Sequence, residues 1–371
     1  MKYTLFYLLL LFTVIVSCNK REQNQILFKG EKHFKTIKQL TYGGNNAEGY
    51  FSFDDSLITF QSDWEDLQKK FHIHKNKYCD QIFTIDIHKL DFNYNNQDFT
   101  FQLVSTGKGR TTCSFFLNPH QIIFASTHEI MEECPESIRF YNNHYVWQLF
   151  NYDIYIANVD GSNLKKLISN PGYDAEAIVS PDGKYLIYTS DKSGDLELWR
   201  YDLTTGKEIQ LTNELGYDGG AFFSRDSKKI VWRASRPKTK EEIKLYKDLL
   251  KKGFVQPTSL NIYIMDIDGR NKKQITFLPG ANWSPFFHPD GNKIIFSSNH
   301  HSLHKGGRIF NLFMINIDGT NLEQITFGEE FESFPFFSYQ KHNGYHWFLF
   351  SSNRNNKKLH ETNLFIAEWI D

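Results

Sequence analysis

Gly172-Tyr173-Asp174-Ala175-Glu176-Ala177-Ile178-Val179-Ser180-Pro181-Asp182-Gly183-Lys184-Tyr185-Leu186-Ile187-Tyr188-Thr189-Ser190 is the stretch that decides the fold. It reads as a strand, a tight Ser-Pro-Asp-Gly turn and a returning strand. Pro181 presets φ at the second turn position, Asp182 can bond its own backbone, and Gly183 accepts the positive φ that closes a hairpin. Phe287-His288-Pro289-Asp290-Gly291 repeats the turn. Ser224-Arg225-Asp226-Ser227 and Ser52-Phe53-Asp54-Asp55 are weaker copies, and Asn118-Pro119-His120 and Ser338-Tyr339-Gln340 are degenerate ones. Together they make six hairpins.

A second phrase sits between the hairpins: an alternating strand, Asp-Gly, then a polar-apolar-Thr strand. Its best copies are Asn261 to Gly269 leading to Gln274-Ile275-Thr276, and Leu312 to Gly319 leading to Gln324-Ile325-Thr326. Asp153 to Gly161, Leu196 to Gly206 with Gln210-Leu211-Thr212, and Gln81 to Ile87 are further copies. Each unit is therefore four antiparallel strands.

The combination of Ser-Pro-Asp-Gly hairpin, Asp-Gly and Gln-Leu-Thr resembles the TolB-like, WD40-like (PD40) repeat family, over nearly all of the chain beyond its first residues. The resemblance implies an all-β, six-bladed β-propeller with the Gln-Leu-Thr strand outermost in each four-stranded blade and inner strands near residues 46, 110, 174, 218, 282 and 332. The chain opens on an orphan outer strand, Ile37-Lys38-Gln39-Leu40-Thr41, and closes on Asn363 to Trp369, a third-type strand without an outer partner. Pairing the two completes the sixth blade and removes an exposed edge.

The N-terminus places Lys2 before an apolar run from Leu5 to Val16, followed by Ser17 and Cys18, the layout of a signal peptide. Ile15-Val16-Ser17-Cys18 resembles a bacterial lipobox, which implies cleavage before Cys18, lipidation of that cysteine and attachment to the cell envelope. Asn19 after the anchor favours the outer membrane. The expected organisation is residues 1–17 signal peptide, 18–34 anchor and linker, and 35–371 propeller. Cys79, Cys113 and Cys134 remain. In an oxidising compartment two can pair, and the sequence does not choose which.

With 34 Phe and 19 Tyr against 4 Met, the composition suits pleated surfaces. Net charge is −1 and no basic block occurs, which speaks against nucleic-acid partners. A monomeric ring is expected.

The insertions at Asp63 to Tyr78, His128 to Tyr152, Pro237 to Ser259 and Asn299 to Phe310 all fall between the second and third strands of a blade. They therefore emerge on one face, opposite the repeated turns. Thr239 with Glu242 forms a capping box before Ile243, Tyr246, Leu249 and Leu250 at helical spacing, so a short helix is expected there, its apolar stripe packed on the ring. On the insertion face, Glu48, Arg110, Asp174, Glu176, Asp218, Asn282 and Glu332 are expected to ring the channel. Arg233, Arg236, Asn299, Asn353 and Arg354 join them from the ends of the second strands. That mixture of charge suits a polar ligand or a peptide segment.

No complete catalytic motif occurs. His128-Glu129-Ile130-Met131-Glu132 lacks the second histidine of a zinc-protease helix. His300-His301-Ser302-Leu303-His304 offers imidazoles in a polar loop. There is no Gly-x-Ser-x-Gly elbow, and the last strand phrase ends at Trp369, so the hydrolase domain that accompanies a similar propeller in prolyl-oligopeptidase relatives is not expected. Two classes of function follow. One is a non-catalytic envelope module, without cofactor, that binds a protein partner or polar ligand through its channel face. The other resembles oligogalacturonate lyases, in which a histidine-held metal helps take a proton from an acidic sugar.

Overall fold

The computed structural model describes residues 26–93, 98–359 and 361–371. Cys18 and the apolar run before it lie outside the described residues. From Phe34 to Trp369 the chain forms six four-stranded antiparallel sheets arranged as a β-propeller. The inner strands are Asn46–Phe51, Thr111–Asn118, Asp174–Val179, Asp218–Phe223, Asn282–Phe287 and Glu332–His342, at or within one residue of the expected starts. The sixth blade takes its outermost strand from the other end of the chain: Phe34–Gln39 pairs with Asn363–Trp369, with Ile37 opposite Ala367 and Gln39 opposite Phe365.

The repeated motifs have defined mechanical roles. In the Gln-Leu-Thr strand, the apolar residue is core: Leu40, Leu211, Ile275 and Ile325 are all buried. The glutamine side chain donates to the carbonyl of the threonine two residues on, as Gln210 does to Thr212 at 2.8 Å and Gln274 to Thr276 at 2.7 Å. The threonine hydroxyl then accepts the backbone N–H of the neighbouring third strand. Leu198, Ile262, Leu312 and Leu364 donate to Thr212, Thr276, Thr326 and Thr41 at 2.8 to 2.9 Å. A buried N–H where the ladder ends is thereby satisfied from a side chain.

In the Ser-Pro-Asp-Gly turn, Ser180 Oγ donates to Asp182 and accepts the Tyr185 N–H, while Gly183 holds φ at 70°. Ser224 and Asp226 repeat the arrangement with Ser227 at φ 59°. The sixth blade departs from expectation, because its hairpin does not turn at Ser338-Tyr339-Gln340. Its inner strand runs on to His342 and reverses at Asn343-Gly344. Asp55 of the first blade accepts the N–H groups of Tyr339 and Gln340, both at 2.7 Å, so the extension ties the last blade to the first.

The capping box is present. Thr239 accepts from Glu242 N–H, the Glu242 carboxylate accepts the Thr239 N–H, and the helix spans Lys240–Leu250. Its buried residues are Tyr246 and Leu249, the second packed with Val146 and Phe254. The open cysteine question is answered by a Cys79–Cys134 disulfide, which staples the first insertion to the second, and Cys113 is left free and buried.

Candidate functional site

Each inner strand carries a bulge at the same place. Its third residue takes a left-handed conformation, with φ of 53° at Glu48, 52° at Cys113, 59° at Glu176, 56° at Gly220, 52° at Ser284 and 55° at Phe334. The pairing register slips by one residue at all six. Left-handed φ costs a non-glycine residue on the order of 1 kcal/mol, and a bulge re-aims its side chain. All six residues line one cavity of about 560 Å³ at the channel mouth. At Gly220 a Cβ would lie 1.6 Å from Arg233 Nη1, so any side chain there would displace the guanidinium from its present place.

Two residues further along, Tyr50, Phe115, Ile178, Phe222, Phe286 and Phe336 close the axis. Tyr50 stands 5.6, 5.4 and 5.2 Å, centroid to centroid, from Phe115, Phe222 and Phe336. Beyond this plug, Arg225 of the fourth blade donates to the carbonyls of Tyr339 and Ser338 of the sixth. The channel is therefore a blind funnel, open on the insertion face.

The insertions build its lip. Trp147–Gln148 of the second pairs antiparallel with Phe254–Val255 of the third, so the two loops form one strap at the mouth. Trp147 packs on Tyr217, Trp283 and the Arg233 guanidinium. None of these contacts was foreseen from the sequence.

The twelve expected rim residues separate into two sets. Glu48, Arg110, Glu176, Arg233 and Asn353 line the funnel. Arg233 donates to Glu176 and to the Tyr217 hydroxyl, which itself donates to Glu176 at 2.8 Å. Burial pushes the Glu176 carboxyl up, but Arg233, the Thr189 and Tyr217 hydroxyls and the Gly220 N–H outweigh it and hold it below the usual range. Arg110 pairs with Asp80 at 2.9 Å, whose carboxyl burial keeps raised despite the arginine. Asn353 accepts from the Thr362 hydroxyl at 2.9 Å.

Glu48 has no ionic partner of this kind. It shares a hydrogen bond with the Cys113 thiol, and burial, with a further push from Glu176 and Asp80, raises its carboxyl to about 7. It keeps some surface open to the cavity, yet the surrounding protein atoms leave its charge poorly solvated. The Cys113 thiol is in turn raised well above its ordinary value by burial and by both glutamates.

The other seven do not reach the channel. Asp174, Asp218, Asn282 and Glu332 are each the first residue of an inner strand and are buried between strands. Asp174 accepts the N–H of Asn170 at 2.7 Å, and Asn282 accepts from Ser298 while donating to the carbonyls of Leu260 and Leu278. Arg236 is bound to Asp218 at 2.7 Å. Arg354 is bound to Glu332 in the same way, and also to Glu31 of the N-terminal segment. Asn299 accepts from Ala281 N–H and donates to the Gly307 carbonyl. Placing these seven on the rim is corrected: the strand-start residues are turned into the packed sheet edge, where Asp174 and Asn282 bond backbone groups and Asp218 and Glu332 accept from Trp232, Asn311, Ser352 and the two arginines.

Among the described residues the funnel lining contains no histidine. His300 and His301 begin a 3₁₀ turn and pack on Phe313, and His128 packs on Tyr155. Among the described residues no three His, Cys, Asp or Glu side chains converge as metal ligands.

No family model matches the chain. A TolB homologue of Chlorobium chlorochromatii is 28% identical over 146 residues, covering 39% of this chain and 28% of that protein. The Tol-Pal system protein TolB of Francisella tularensis subsp. mediasiatica is 31% identical over 128 residues, covering 34% of this chain and 25% of that protein. The matched stretch thus spans about a quarter of the curated relatives' length. In fold, the chain resembles the crystal structure of TolB from Acinetobacter baumannii with a TM-score of 0.51 at 18% identity, covering 74% of this chain and 53% of that one. By its repeat, its six-bladed ring and these likenesses, the chain is a TolB-like β-propeller.

Proposed function

We propose that the protein is a non-catalytic binding module of the bacterial cell envelope that receives a segment of a protein partner in its funnel. The observation that carries this reading is the blind, aromatic-lined cavity at the insertion face, with a strap built by two separate loops. The exposed apolar surface supports it. Of eleven large hydrophobic side chains exposed among the described residues, only Leu322 and Ile370 fall outside the loops of that face, and an uneven distribution of exposed apolar groups suits an interaction face. The name of the Francisella relative places that protein in the Tol-Pal system, and we carry the envelope setting over from it. The Cys79–Cys134 disulfide suits an exported protein.

Lipid attachment at Cys18, on the outer membrane, belongs to the same proposal. Replacing Cys18 with Ala should abolish lipid labelling and release from the precursor; unchanged processing contradicts the anchor. The funnel is tested by co-isolation from solubilised envelope with Trp147→Ala and Asp182→Asn proteins of matched melting temperature. Loss of one defined partner with the first and its retention with the second is expected. The reverse pattern overturns the reading.

A further inference from the structure

Among the described residues, the funnel's charged groups are ion-paired except for Glu48 inside it and Arg139 at its lip. Arg110 is matched by Asp80 and Arg233 by Glu176. Glu48 faces the same cavity from a bulge that aims it inward, with the Cys113 thiol as its hydrogen-bond partner. Arg139, the remaining charged residue of the lining, stands exposed at the lip. Around Glu48 the walls are aromatic, including Tyr50, Tyr152, Tyr217, Trp147 and Trp283.

Two buried donors on these walls have no partner: Arg233 Nε and Trp283 Nε1. The Arg233 side chain is more than nine-tenths buried, and both residues contact Trp147 of the strap. Buried donors are rarely left unmatched.

We propose that the funnel recognises a basic side chain, a lysine or arginine presented by an extended protein segment, held between the Glu48 carboxylate and the aromatic walls. The inference rests on the protein-binding reading above and names the chemistry of its guest. A cation meets both an unmatched carboxylate and aromatic faces, whose negative π surfaces attract it. Inside the funnel an acidic guest meets Glu48 and Glu176, while the arginines there are already held, Arg233 by Glu176 and Tyr217 and Arg110 by Asp80; Arg139, without an ion pair, stands outside at the lip.

Binding then depends on pH. Glu48 is faced by Cys113, Glu176, Arg233 and Asp80, with Tyr50 on its own strand and Tyr152 across the mouth. Of the groups around it, Glu48 itself changes charge near neutrality. A bound cation favours its ionised form, so affinity rises with pH through that range.

The test is calorimetric titration of the purified protein with blocked peptides Gly-Gly-X-Gly-Gly, X being lysine, norleucine or glutamate, at pH 6 and pH 8. The lysine peptide should bind at least ten-fold more tightly than the other two at pH 8. Its affinity should fall roughly ten-fold at pH 6, as ionised Glu48 drops from about nine-tenths to about one-tenth. Glu48→Gln protein, shown folded by its melting curve, should lose both the lysine preference and the pH dependence. Preference for the glutamate peptide, a pH-independent lysine affinity, or no binding of the lysine peptide overturns the inference. If Trp147→Ala still abolishes partner co-isolation in that event, the protein-binding reading stands and only the basic guest is wrong.

Discussion

The Arg236 guanidinium closes on the Asp218 carboxylate at 2.7 Å, joining the residue two past the second strand of the fourth blade to the first residue of its inner strand. Arg354 and Glu332 repeat the pairing in the sixth blade. Asp218 is fully buried, and burial lifts its carboxyl to about 6 against the pull of Arg236. Removing one partner of a buried pair costs about 3–5 kcal/mol because the other charge is stranded. Arg236→Ala and Arg354→Ala should each lower the denaturation midpoint by an amount in that range. A change under about 1 kcal/mol in either contradicts the pairing as described.

Glu48 gives a stability prediction with a definite sign. Its carboxyl is raised in the folded state, so the folded protein holds this proton more firmly than the unfolded chain does. Stability from the group is full below about pH 4 and is lost as pH rises toward 7. Glu48→Gln should therefore stabilise the protein at pH 8, by up to about 2–3 kcal/mol, and change little at pH 4. Melting curves at both pH values check this; an equal shift at the two contradicts it.

Ring closure depends on Thr41, whose hydroxyl accepts the N–H of Leu364 at 2.9 Å from the far end of the chain. Thr41→Val keeps the shape and strands that N–H, which should cost about 1–3 kcal/mol. Thr212→Val should cost a similar amount through Leu198, whereas Thr204→Val, on an exposed turn, should stay within about 0.5 kcal/mol. Urea denaturation of the three variants gives the comparison. Equal stability of the Thr41 variant and the parent contradicts closure through this strand.

The Cys79–Cys134 disulfide closes a loop with a sequence separation of 55. Its loss is expected to cost roughly 4 kcal/mol on the chain-entropy model. Hydrogen exchange after reduction should quicken first in the second insertion, around Phe140 to Gln148. Cys113, buried and with its thiol raised, should resist alkylation in the native protein and react on unfolding. Fast native labelling of Cys113 contradicts its placement in the ring.

What the sequence disclosed follows the range of the interactions. The turns, the Gln-Leu-Thr strands and the Thr239 capping box are local, so residue type and spacing reveal them. Closure was legible too, because Ile37 to Thr41 and Asn363 to Trp369 are complementary halves of one repeat. The funnel ring was half-hidden: aligning inner strands by their first residue would have put Glu48, Cys113, Glu176, Gly220, Ser284 and Phe334 in one column. Only the charged members drew notice, since five of the six carry left-handed φ without being glycine. The pairing of Trp147 with Val255 joins two insertions by backbone bonds and leaves no signature in composition. Burial at Asp174, Asn282 and Glu332 likewise depends on the neighbouring blade, which spacing along one strand cannot show.

The central claim, that the funnel face is where a protein partner enters, is tested most directly by photo-crosslinking in intact cells. A benzophenone side chain placed at Tyr145, on the lip, and at Thr204, on an exposed turn of the opposite face, reports on the two faces separately. The account predicts one discrete protein adduct from position 145, lost when Trp147 is also replaced by Ala, and none from position 204. A discrete adduct from position 204 with none from position 145 would contradict it.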